Sequence, residues 1–210
     1  PEPGSSMASS PNAWLDVPVP GPLGQTDWGR RYFRMMLGAV PLGALVHASF
    51  VPLFLGLGSP FMAWFNVATV LLYLAVVLRF RTTGNTWLLT LLLFEVCAHA
   101  VLASLAIGWD SCFHLYILSL GVAAGAAPER RDRIVLVILS FAAWTGTLLM
   151  TEAHPPWALV DRGVLTGLSA ANFIGAFAVG GIFGGALTGA ANRAERALAE
   201  AHARSERLLH

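Results

Sequence analysis

Glu95 and His99 stand four residues apart inside an otherwise apolar run, a spacing that stacks a carboxyl group and an imidazole on one face of a helix. His47 lies near the middle of another apolar run, and His114 follows directly on the turn Gly108-Trp109-Asp110. In hydrocarbon a chargeable side chain costs several kcal/mol unless it faces the protein interior, a cavity or a partner, so such residues are functional candidates by default. His47, Glu95, His99 and His114, with Asn66 and Tyr73, are therefore the ligand-binding candidates. Glu95 and His99 have a plainer alternative, a hydrogen bond to each other and to a neighbouring helix. Asp110, His114, Glu152, His154 and Asp161 offer oxygen and imidazole donors in or beside the connecting segments. Together they are candidates for holding a divalent cation at the outer surface. Cys97 and Cys112, the only cysteines, lack a Cys-x-x-Cys spacing and read as small buried hydrophobes. No residue pattern is assigned to catalysis.

The elements that must position these groups are membrane helices. With 56% hydrophobic and 12% charged residues and a mean hydropathy of +0.64, the chain divides into long apolar runs separated by short polar ones. That composition argues against a soluble enzyme, and no basic patch interleaved with aromatics points to nucleic acid. Six spans are expected, at about Met35–Leu57, Phe61–Phe80, Trp87–Ile107, Phe113–Ala127, Ile134–Met150 and Val164–Ala190. About 20 residues cross some 30 Å of hydrocarbon, so the fourth and fifth are short. Pro41 and Pro52 should kink the first span on either side of His47. Asn66, Thr69 and Tyr73 share a face of the second, as hydrogen-bonding glue between helices or as ligand contacts. In the sixth, Ala176, Gly180, Gly184 and Thr188 form one row of small residues and Gly181, Gly185 and Gly189 another. These rows let another helix backbone approach closely, from the same chain or a second one.

The fold class is thus an all-α membrane bundle of six helices, spanning 29–190, behind an unstructured cytoplasmic segment at 1–28. Pro1–Ser6, ahead of Met7, reads as an expression remnant. Trp28, Tyr32 and Phe33, interleaved with Arg30, Arg31 and Arg34, form a collar suited to the cytoplasmic interface. With both termini inside, every arginine except Arg162 falls on the cytoplasmic side. Beyond Ala190 the chain turns charged without a helix breaker, so the last span should continue through 191–210 as one cytoplasmic helix. Ala194, Leu198, Ala201, Ser205 and Leu208 have the spacing of a coiled-coil seam, with Leu198 and Leu208 its strongest members. The run stops without cap or terminator and looks cut from something longer.

Six spans followed by Glu195-Arg-Ala-Leu-Ala-Glu-Ala-His-Ala-Arg-Ser-Glu-Arg-Leu-Leu209 resemble the membrane anchor and transducer helix of bacterial class III adenylate cyclases. In that family a run similar to Ser205-Glu-Arg-Leu-Leu leads directly into the catalytic domain. The resemblance implies a parallel homodimer in the bacterial plasma membrane and an anchor that also serves as a receptor for an effector making cyclic AMP. The Gly108-to-His114 turn is similar to the third-to-fourth-span connection of six-span sensors, including histidine kinases that bind a lipophilic autoinducer. No cyclase catalytic segment is present in this sequence. Two other readings stand beside the receptor: a cytochrome-like domain binding haem b through pairs among His47, His99 and His114, and a transporter. The transporter lacks support from internal repeats, and it leaves the charged exit helix unexplained.

Overall fold

The computed structural model describes residues 17–125 and 130–209. Six α-helices follow one another: α1 Asp27–Gly56, α2 Pro60–Thr83, α3 Trp87–Ile107, α4 Leu115–Gly125, α5 Arg130–Ala153 and α6 Arg162–Leu209. No strand occurs among the described residues. Local chemistry marks the helix ends. Thr26 Oγ1 accepts the Gly29 amide at 3.0 Å to start α1, and Pro60, whose missing N–H needs no partner there, opens α2. Gly84 closes α2 in the left-handed conformation (φ 62°). Asp161 Oδ1 accepts the Gly163 amide at 2.8 Å ahead of α6.

Among the described residues, α1, α2, α3, α5 and α6 are long and apolar enough to cross a membrane. The polarity of the surface agrees with that. Trp64, Phe141, Ile174 and Phe177 are more than two-thirds exposed, while Asn66, Thr69, Glu95, His99 and Asn172 are buried. A soluble core would reverse this arrangement, because water draws polar groups outward and hydrocarbon does not.

Helix α3 is the central post, with half of its most apolar stretch buried. It packs against α2, α4 and α5, while α1 lies along α2, and α4 lies between α5 and α6. Two apolar clusters stack along the bundle. Phe33, Leu37, Val77, Phe80 and Leu89 fill one level. Phe54, Met62, Ala103, Ile107, Phe113 and Leu168 fill the other. The Trp157 and Ala158 amides donate to the carbonyls of Leu105 and Ala106, folding the α5–α6 connection over the end of α3.

Several sequence expectations are corrected. The fifth span, expected to be short, is the 24-residue α5, long enough to cross, and of the fourth span the described part is the 11-residue α4. Residues 126–129, at its expected end, lie outside the described part. The segment expected to be unstructured is partly built: Gly21–Gln25 form a 3-10 helical turn, and Leu23 is buried with Val17 and Val19 beside it. Residues 1–16 lie outside the described part. Tyr32 and Phe33, expected as interfacial collar residues, turn inward because α1 starts at Asp27 and carries them onto the α2 face, where Phe33 packs on Phe80 at 5.0 Å.

The last helix runs unbroken for 48 residues, so the exit segment is helical. Ala194, Leu198 and Ser205 are exposed, with Leu198 at 64%, and no seam partner lies among the described residues. The side chain of Leu208 is outside the described part. Of the two small-residue rows, Ala176, Gly180 and Gly184 face α4 within the chain. The Ser119 hydroxyl donates to the Ala176 carbonyl at 2.8 Å, and Gly180 and Gly184 look toward Ser119 and Val122. Gly181 and Gly185 face open space.

Gly175 lies where any Cβ would run into the Tyr116 hydroxyl of α4. Gly175→Leu is therefore expected to destabilise the bundle by about 1–3 kcal/mol through overpacking. Gly181→Leu should change monomer stability by less than about 0.5 kcal/mol. Unfolding curves of the two variants in detergent micelles check this contrast.

Candidate functional site: a buried polar centre

Between the two apolar clusters, α1, α2 and α3 each turn polar side chains inward. Helix α2 contributes Asn66, Thr69 and Tyr73, whose spacing of three and four residues keeps them on one face, and all three are buried. The opposite face carries Trp64, Leu71 and Leu78, all exposed. Helix α3 contributes Glu95 and His99, and α1 contributes His47.

The contacts form a chain. Asn66 donates from Nδ2 to the Met62 carbonyl at 2.7 Å, which fixes its amide and leaves Oδ1 as acceptor. That oxygen lies 3.0 Å from His47 Nδ1, so Nδ1 carries the proton and donates. The His47 lone pair is then on Nε2, 3.7 Å from Glu95 Oε2. The other carboxylate oxygen, Oε1, accepts from Thr69 Oγ1 at 2.8 Å, and the Tyr73 hydroxyl also addresses this carboxylate. The Tyr73 ring packs against His47 with centroids 5.2 Å apart.

His99 completes the cluster, its ring meeting His47 edge-on at a centroid distance of 4.7 Å. Phe50, Phe54, Phe65 and Phe113 surround it, with Phe50 stacked at 5.7 Å. Neither His99 nitrogen has a hydrogen-bond partner, nor does Glu95 Oε2. One donor atom from each of His47, Glu95 and His99 lies within 4.8 Å of the other two.

Of the sequence-derived candidates, the structure brings together His47, Asn66, Thr69, Tyr73, Glu95 and His99. Glu95 and His99 do not bond to each other; Glu95 turns to α2 and α1 instead. His114 belongs elsewhere. It stacks on Trp109, with centroids 3.6 Å apart and planes 6° from parallel, and lines an open cleft of about 390 Å³ with Asp110, Cys112, Arg162, Leu165, Thr166 and Ser169.

The five outer metal candidates are not brought onto one ion. Asp110, Glu152 and His154 are exposed, Asp161 caps α6, and His114 is turned under Trp109. Among the described residues, the group of histidine and acidic side chains close enough to share an ion is His47, Glu95 and His99. A haem does not fit these histidines. Axial imidazoles on opposite faces of a porphyrin need centroids roughly 6 Å apart with the macrocycle between them, given about 2 Å per metal–nitrogen bond. His47 and His99 are in direct ring contact at 4.7 Å, and His114 lies in the separate cleft.

Sequence reasoning passed over three supports. The phenylalanine box around His99 looks like ordinary lipid-soluble filler in a linear sequence. Asn172 donates to the Ser111 carbonyl at 2.8 Å, and Ser169 Oγ lies 3.1 Å from Cys112 Sγ, two ties that hold α6 to the Trp109–Cys112 turn. A lone asparagine inside the sixth apolar run was the available signal for the first.

Compared with family models, curated proteins and solved structures, the chain matches none of them. The functional reading therefore rests on the residues themselves.

Removing the Thr69 hydroxyl leaves Glu95 Oε1 without its strongest partner. Thr69→Val should destabilise the bundle by about 0.6–1.7 kcal/mol, the range for interhelical hydrogen bonds in membranes. Thr188→Val, whose hydroxyl bonds only its own helix at Gly184, should change stability by less than about 0.5 kcal/mol. Equilibrium unfolding in mixed micelles separates the two.

Proposed function

We propose that this chain is the membrane-embedded sensor and anchor of a signalling enzyme, a class III adenylate cyclase being the effector its exit helix resembles. The observation that carries the reading is the continuity of α6. Arg162, Leu165, Thr166 and Ser169 in its first turns line the outer cleft, and the same helix runs to Leu209 through the charged exit segment. A ligand settling in the cleft against Trp109 and His114 would favour one arrangement of α4 and α6 over another. Such a bias can move an output only through different affinities for the two arrangements. The cleft mixes indole, imidazole and leucine surfaces with hydroxyls, the Cys112 thiol, the Asp110 carboxylate and one arginine, which suits a small amphipathic molecule.

The arginine distribution supports cytoplasmic termini, and the resemblance to the cyclase anchors implies a bacterial plasma membrane. A parallel homodimer fits the outer half of α6. Only 6% of its most apolar stretch is buried within the chain, and Gly181 and Gly185 present a smooth outward row. In that arrangement the two exit helices lie side by side and their rotation is the signal passed on.

Insertions into the exit helix test this coupling without knowledge of the ligand. With the chain fused ahead of a class III cyclase catalytic domain, two residues added after Ala191 rotate everything downstream by about 200°, whereas seven restore the helical phase to within about 20°. Basal cyclic AMP production in membranes should fall by about tenfold with the first insertion, equivalent to roughly 1.4 kcal/mol of coupling, and recover with the second. Equal activity in parent and both insertions would remove α6 as the transmitting element.

A further inference from the structure

We infer that His47, Glu95 and His99 form an intramembrane binding site for a divalent transition-metal ion of the zinc class. This goes beyond the sensor reading and stands without it, because it depends on three side chains and their neighbours alone.

The first support is what the cluster leaves unbonded. Glu95 Oε2 and both nitrogens of His99 are buried without a hydrogen-bond partner. An orphaned polar group inside an apolar environment is expensive, and a cation here would engage Glu95 Oε2 and the lone-pair nitrogen of His99 together, leaving only the other His99 nitrogen as an unpaired N–H. The second support is the orientation of the lone pairs. Because Asn66 holds the His47 proton on Nδ1, Nε2 presents a lone pair toward Glu95 Oε2 at 3.7 Å. Two acceptors facing each other repel unless a proton or a cation lies between them. At 3.7 Å the pair is too far apart for a direct hydrogen bond. It is only slightly wider than the roughly 3.3 Å edge of a tetrahedral site with bonds of about 2.0–2.1 Å.

The third support is the way the donors are held from behind. A ligating histidine ordinarily donates its other nitrogen to an oxygen, and ligating carboxylates are themselves hydrogen-bonded. His47 does the first through Asn66, and Glu95 does the second through Thr69. His99 is oriented by packing among Phe50, Phe54, Phe65 and Phe113 instead. Closing the group onto an ion requires the donor atoms, now within 4.8 Å of each other, to draw in by about an ångström and a half at most.

The donor set selects the ion class. Two imidazoles and one carboxylate suit zinc, copper, nickel or ferrous iron, whereas magnesium and calcium demand more oxygen ligands than this centre supplies. Three protein ligands leave a coordination position open. The ion would neutralise Glu95, tie α1 to α3 and stiffen the bundle midway between its two apolar clusters.

The test uses the intact chain in lipid nanodiscs, stripped with a membrane-permeant chelator and dialysed against Zn²⁺ or Co²⁺. The parent should retain about one ion per chain, show the visible ligand-field bands of Co²⁺ bound to nitrogen and oxygen, and unfold at a higher temperature when loaded. Glu95→Gln and His99→Ala should abolish retention, whereas His114→Ala and His154→Ala should bind like the parent. Asn66→Ala, which removes only the support behind His47, should weaken binding by about 10–100-fold while keeping the Co²⁺ spectrum. If His99→Ala does not fold, the near-isosteric Glu95→Gln carries the test alone, with circular dichroism confirming its helix content. A folded parent that retains no ion, or equal retention by the parent and Glu95→Gln, would overturn the assignment.

Discussion

Glu95 has to be answered from within the protein. Its own helix offers Leu91 and Phe94 to the outside, so no solvent reaches the carboxylate from that direction. The partners come instead from α2, where Thr69 donates to one oxygen, and from α1, where His47 faces the other. That need fixes the rotation of three helices at once. Turning α2 by one residue would carry Asn66, Thr69 and Tyr73 toward lipid and bring Trp64 and Leu71 inward, leaving the carboxylate with apolar neighbours. Above and below, the clusters built on Phe33 and Phe80 and on Phe54 and Phe113 close the centre off. In a lipid environment such packing supplies shape rather than hydrophobic drive, and the interhelical hydrogen bonds supply register.

The remainder of the bundle hangs on this frame through short polar ties. Ser119 binds the Ala176 carbonyl, Asn172 binds the Ser111 carbonyl, and Tyr116 fits against Gly175, so α6 is attached to α4 and to the turn before it. Its outward surface stays largely uncovered. Its inner face packs on the bundle from Leu165 to Leu187, so α6 touches the other helices along one side only. The polar centre, by contrast, is held from three helices.

Part of this was legible in the linear sequence for physical reasons. The four-residue spacing of Glu95 and His99, the stripe of Asn66, Thr69 and Tyr73, and the mid-span position of His47 are local, and helical periodicity turns local spacing into a shared face. Which stripe meets which is a non-local fact. Nothing in the spacing said that Thr69 rather than His99 would bond Glu95, or that His47 would sit within reach of both. The outer donors misled because residue type was visible while geometry was not: Asp161 is consumed as a helix cap and His114 as a stacking partner of Trp109. Tyr32 and Phe33 looked interfacial because aromatic residues beside arginines often are; an earlier helix start put them in the core. The ordered turn around Leu23 was foreshadowed by nothing in the Pro- and Gly-rich composition.

The inward orientation of the α2 polar stripe underlies the buried polar centre, and site-directed spin labelling along α2 reads it directly. With Cys97 and Cys112 replaced by alanine and the protein in nanodiscs, single labels from Phe61 to Phe80 report collision with oxygen dissolved in the lipid. Accessibility should oscillate with a period of about 3.6 residues, lowest at Asn66, Thr69 and Tyr73 and highest at Trp64, Leu71 and Leu78. Minima on the Trp64, Leu71 and Leu78 face, or a profile without periodicity, would contradict a polar centre enclosed by α1, α2 and α3.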